Sequence, residues 1–132
     1  MDVLLIEDDD LVRQCLAEGL GEAGLRVAEA ADAAQALALL DADGASPPAV
    51  LVTDLTLGRG MDGTELITAV RRRWPCVRAV LISGAAVADP CLDPEDRFLP
   101  KPFRLDALVC LIEELLAAEQ AVPGRALDAV TG

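Results

Sequence analysis

Short apolar runs that alternate with amphipathic stretches predict a single α/β domain. Its core would be a five-stranded parallel sheet, doubly wound, with helices on both faces. Three observations carry that expectation. The runs Val3–Ile6 and Val50–Val52 contain no polar residue, the pattern of strands covered on both sides. Helical periodicity marks the segments between strands and the one after the last, clearest at Leu105, Leu108, Val109, Ile112, Leu115 and Leu116. At 132 residues the chain has the size of one domain and buries a core without staples.

Taken in order, Val3–Ile6 is the first strand and ends in Glu7-Asp8-Asp9-Asp10. One of these acids caps a helix over about 11–23, with Val12, Cys15, Leu16 and Leu20 as its apolar stripe and Gly24 just past its end. Gly19-Leu20-Gly21-Glu22-Ala23-Gly24 fits G-x-G-x-x-G, but it ends a helix and precedes a strand. The dinucleotide fingerprint requires the reverse, so the match is chance. A second strand covers 25–30, and Asp32 caps a helix over 33–41. After the loop 43–48 the third strand delivers Asp54 at its carboxyl end. A glycine-bearing loop, 56–62, leads to a helix over about 63–74, with Leu66, Ile67, Val70 and Trp74 on one face. Arg71-Arg72-Arg73 in its last turn reads as a solvated helix end, and Pro75 stops it. The fourth strand, 77–82, ends at Ser83-Gly84. Pro90 and Pro94 break the stretch 85–96, so any helix there is shortened or irregular. The fifth strand is 97–100, followed by Lys101-Pro102-Phe103 and a last helix over about 105–119. The expected division is a domain over 1–120 and a flexible tail over 121–132.

Composition narrows the function classes. Hydrophobic residues make up 53% and aromatics only 2%, so the core is Leu, Val, Ile and Ala. The 23 acids against 11 bases give −12, which argues against a direct nucleic-acid binder. There is no histidine, and none of Cys15, Cys76, Cys91 and Cys110 forms a CxxC pair. Common zinc sets and His-based triads are therefore excluded. The cysteines read as reduced, mostly buried thiols of a cytoplasmic protein. No apolar run reaches membrane-spanning length and no signal peptide is visible.

Ligands of open α/β sheets bind at the carboxyl ends of the strands. Those ends carry Glu7 and Asp8, Asp54, Ser83, and the following Lys101. Alone, each reads as a cap, a loop group or a solvated charge. Together they suit a hard cation and a phosphoryl group. Carboxylates supply oxygen ligands for Mg²⁺, a lysine is a point charge for phosphate, and a hydroxyl donates to a phosphoryl oxygen.

Four pieces in order resemble the receiver domain of two-component response regulators, over about residues 1–119. They are Val3-Leu4-Leu5-Ile6-Glu7-Asp8-Asp9, Val52-Thr53-Asp54-Leu55 with Met61-Asp62-Gly63, Leu81-Ile82-Ser83-Gly84, and Phe98-Leu99-Pro100-Lys101-Pro102-Phe103. The resemblance implies a flavodoxin-like sheet of order 2-1-3-4-5. It implies that Asp54 is a phosphoacceptor fed by a histidine kinase or histidine phosphotransfer protein. Glu7, Asp8, Asp54 and the backbone carbonyl of Thr56 would hold Mg²⁺ or Mn²⁺. Lys101 would pair with the phosphoryl oxygens, its bond to Pro102 would be cis, and Ser83 and Phe98 would be the switch residues. The output partner is an unspecified protein, with no nucleic acid or membrane bound directly. The chain would not be an enzyme beyond its own phosphorylation and dephosphorylation. Two alternatives stand beside this: an aspartyl-phosphate phosphohydrolase, which would need a second acid where this chain has Thr56, and a pseudo-receiver that binds without phosphate. The sequence departs from the family's pattern at Gly58, commonly proline, at Ser83, commonly threonine, and in the short stretch before Lys101.

Overall fold

The computed structural model describes residues 1–42, 46–55, 62–84 and 96–121, with side chains to 117. Its elements are β1 (Val3–Ile6), α1 (Asp10–Glu22), β2 (Val27–Ala30), α2 (Ala33–Asp41), β3 (Val50–Asp54), α3 (Gly63–Arg73), β4 (Arg78–Ser83), β5 (Arg97–Pro100) and α4 (Leu105–Ala121). The strands form one parallel sheet of order β2-β1-β3-β4-β5. This is the doubly wound, flavodoxin-like architecture expected. The shortened helix expected between residues 85 and 95 lies outside the described residues, as do Thr56, Gly58 and Cys91. No helix among the described residues is long and apolar enough to cross a membrane.

The period-2 alternation of the strands builds two cores. Leu4, Ile6, Leu51, Ala79 and Leu81 face α2 and α3, where they meet Ala36, Leu40, Leu66, Ile67 and Val70. Val3, Leu5, Val50, Val52, Val80, Ile82 and Leu99 face α1 and α4, where they meet Leu16, Leu20, Leu108, Ile112 and Leu115. With both faces covered, all of β1 and β3 is buried, which is why these strands carry no polar alternation.

Helix ends follow their local chemistry. Asp9 caps α1, its Oδ1 accepting from the Leu11 and Val12 amides, and Asp32 caps α2 by accepting from Gln35. At the other end of α1, Gly24 takes φ +93°. The Gly24 amide donates to Gly21 and the Leu25 amide to Leu20, a Schellman closure. That closure explains why β2 starts at Val27 and not at Leu25, as the apolar pattern suggests: the Leu25 amide is already engaged by the helix. It also confirms that the glycine triplet is a helix end.

Three surface expectations need correction. Cys15, Cys76 and Cys110 are exposed, not buried. Val12 and Cys15 lie outside the α1 core stripe, which narrows to Leu16 and Leu20. The basic run at the end of α3 is solvated at Arg72 and Arg73, as expected, but not at Arg71. Arg71 is largely buried against the fully buried carboxylate of Asp96, and Arg73 pairs with Asp41 and lies 4.3 Å over the Trp74 ring.

Candidate functional site

Parallel pairing sets the first layer of the site. Ile6 lies beside Thr53 in the β1–β3 register, so the next residues, Glu7 and Asp54, leave the sheet as neighbours. Alternation puts Glu7 and Asp54 on the α1/α4 side, in step with Leu5 and Val52. Lys101 follows Leu99 on that same side. Its amide donates to the Ser83 carbonyl at 2.8 Å, which fastens the end of β5 to the end of β4.

The side chains then converge. Lys101 Nζ stands 3.0 Å from Asp54 Oδ1. Glu7, Asp8 and Asp54 each place a carboxylate oxygen within 4.8 Å of the other two. Glu7 and Asp54 are only 4% and 5% exposed, whereas Asp8 is open to solvent. Ser83 is buried at the end of β4, next in the alternation after Ile82 and so on the side of Leu81. Phe98 is half-buried against the α2/α3 core. The Lys101–Pro102 peptide is cis, as the resemblance implies. The Thr56 carbonyl lies outside the described residues.

Crowding leaves an electrostatic mark. Burial, then the hydrogen bond to Asp54 and repulsion from it, push the Glu7 carboxyl up from 4.5 to about 8. Burial opposes the charge on Lys101, but Asp54, with Glu7 and Asp8 beyond it, outweighs burial and raises the ammonium above its ordinary value. Two carboxylates about 4 Å apart repel by about 4 kcal/mol at an effective dielectric of ~20. Without a cation the pocket relieves part of that by keeping a proton on Glu7. Its donors are hard oxygens, of which two are nearly buried and one is open to water. That set fits a hard divalent cation, which takes carboxylates and retains waters.

Two contacts go beyond the roles the motifs imply. Arg13 of α1 donates from Nη1 to the Glu7 carbonyl at 2.9 Å, behind the acids. Gly63 opens α3 directly against β3. Its amide donates to the Leu55 carbonyl at 2.8 Å, and a Cβ there would sit 2.2 Å from the Asp54 carbonyl oxygen. The capping box Asp62/Glu65 holds that helix end, and its D-x-x-E spacing is visible in the sequence.

Comparison with known proteins agrees with the site. The family model described as the response regulator receiver domain matches residues 3–113. The sensor kinase CckA of Brucella abortus is 33% identical over 118 residues, which are 86% of this chain and 12% of that protein. The DNA-binding transcriptional regulator NtrC of Escherichia coli K12 is 28% identical over 122 residues, 89% of this chain and 25% of that protein. The chain thus spans a quarter or less of the length of these relatives. Among solved structures, a response regulator receiver protein from Sinorhizobium medicae WSM419 superposes with a TM-score of 0.79. It is 28% identical, over 88% of this chain and 94% of that one. NtrX from Brucella abortus gives 0.81 at 25% identity, over 95% of this chain and 29% of that one. The chain belongs to the response regulator receiver domain family and is a phosphoaccepting regulatory module.

Proposed function

We propose that Asp54 is the phosphoacceptor and that a phosphohistidine on a histidine kinase or phosphotransfer protein is the donor. The Lys101 ammonium against Asp54 Oδ1, beside two further acids, is the observation that carries this. An Asp54 carboxylate oxygen attacks phosphorus, the P–O bond forms as the P–N bond breaks, and the histidine ring departs with the bonding pair. Lys101 then faces the phosphoryl oxygens. Glu7, Asp8, Asp54 and the Thr56 carbonyl would hold Mg²⁺, with Mn²⁺ as a substitute. When bound, the ion neutralises the acids and the charge on the phosphoryl oxygens. The Ser83 hydroxyl then turns toward the phosphoryl group and Phe98 inward, so a local charge event changes the surface offered to a downstream protein. We place the module at residues 1–120, in the cytoplasm, with no direct contact to nucleic acid or membrane.

The test is intact-mass analysis after incubation with acetyl phosphate. The wild type is expected to gain one phosphoryl group with Mg²⁺ and none with chelator. Asp54→Ala should gain none in either case. Equal gain in Asp54→Ala would overturn the assignment.

A further inference from the structure

Asp8 is the exposed acid of the pocket, yet the backbone on both sides of it is held at every turn. On one side, the Glu7 amide donates to the Ala30 carbonyl of β2 at 3.1 Å, and the Glu7 carbonyl accepts from Arg13 Nη1 at 2.9 Å. On the other, the Asp9 amide donates to Glu7 Oε1 at 3.2 Å, and the Asp9 carboxylate is spent on the α1 cap. Among the described residues, the Arg13 contact alone reaches this turn from a side chain outside it. Its guanidinium is aimed by two outer acids: Nη2 lies 2.7 Å from Asp10 Oδ1 and Nε 3.6 Å from Glu29 Oε1. Those acids are 75% and 42% exposed, so they orient the fork more than they stabilise it, while Arg13 itself is 15% exposed.

We propose that Arg13 is a positioning residue of the acid pocket: by fixing the Glu7–Asp8 peptide it aims the Asp8 carboxylate at the cation. This rests on the reading that the pocket binds Mg²⁺. The guanidinium bonds a main-chain oxygen and none of the three pocket carboxylates, so its influence is geometric. Geometry and charge make opposite predictions here. A positive charge near a cation site repels the ion, so removing it should tighten Mg²⁺ binding. Removing a group that holds a metal ligand in place should loosen it, commonly by about 10–100-fold. Lysine keeps the charge but lacks the planar fork that spans Glu7, Asp10 and Glu29.

The experiment is a Mg²⁺ titration of the 132-residue chain, followed by amide NMR shifts, in wild type, Arg13→Gln and Arg13→Lys, with the melting temperature of each recorded first. Both variants are expected to bind Mg²⁺ about tenfold more weakly, with the shift at the Asp8 amide reduced most. Unchanged or tighter binding in Arg13→Gln overturns the proposal, as does full recovery in Arg13→Lys. A lower melting temperature with unchanged Mg²⁺ affinity, or failure of both variants to fold, makes Arg13 a residue of the fold alone. Absence of Mg²⁺ binding in the wild type instead overturns the cation site itself.

Discussion

Glu7 is the residue through which pH acts on this pocket. A carboxyl whose pKa is higher folded than unfolded favours folding below its unfolded value. That contribution disappears as pH rises through the folded value. For Glu7 the window runs from 4.5 to about 8. The lowered carboxyls, Asp2 and Asp62, lose their contribution only on acidification below the ordinary range, and the raised Lys101 only at high alkaline pH. The cation-free chain should therefore melt several degrees lower at about pH 9 than at about pH 5, and Glu7→Gln should flatten that slope. Since bound Mg²⁺ requires the ionised carboxyl, its affinity should climb over the same window. Thermal melts with and without Mg²⁺ check both statements. A Glu7→Gln melt that keeps the wild-type slope would contradict them. At this scale the acids, Asp54 and Lys101 are legible in the sequence because each closes or follows an apolar run. Arg13 is not, because its site partner is a carbonyl, which leaves no trace in residue type.

The element that confines Asp54 is the start of α3. Gly63 packs so near β3 that a methyl group would overlap the Asp54 carbonyl oxygen, backbone that cannot step aside as a side-chain tip would. Gly63→Ala should cost about 1–3 kcal/mol in urea unfolding. It should also slow phosphorylation at Asp54. Gly21, also in a helix, has open space at its Cβ position, and alanine there should be neutral or stabilising by up to about 1 kcal/mol. Equal effects at the two glycines would show that backbone entropy, and not the close approach, governs Gly63. Element positions were readable where apolar runs and caps coincide: α2 with Asp32 and β5 before Lys101 fall as the pattern places them. The pattern fails at β2, where Leu25 is apolar but belongs to the α1 closure. It fails also along α1, where a 13-residue helix lying on a sheet buries only Leu16 and Leu20 and exposes Cys15.

Across the whole molecule, the site occupies one end of the sheet and a buried ion pair the other. The Asp96 carboxylate accepts from Arg71 and from the Ala79 amide at 3.0 Å, and Arg71 Nε donates to the Val77 carbonyl at 3.1 Å. This ties α3 and the entry of β5 to the start of β4. Removing one partner of such a pair typically costs about 3–5 kcal/mol, a large part of the roughly 5–15 kcal/mol that holds a domain together. Ala79 and Ser83 are separated by about 13 Å of strand at ~3.3 Å per residue, beyond the distance at which substitutions usually couple. Asp96→Ala should therefore lower stability in urea by about that amount, yet leave Asp54 open to phosphorylation in the fraction that stays folded. Neither the pair nor the strand order can be seen in periodicity, since both join segments distant in the chain. The order 2-1-3-4-5 follows from family resemblance, and Asp96 looks like any loop acid until the fold encloses it. The proposed switch turns on one act, the capture of a phosphoryl group by Asp54 in a cation-dependent pocket. The most direct measurement is ¹⁹F NMR of the chain titrated with beryllofluoride. Bound fluoride resonances are expected with Mg²⁺ in the wild type and their loss in Asp54→Ala or with chelator. Bound resonances of equal intensity in Asp54→Ala would contradict the account.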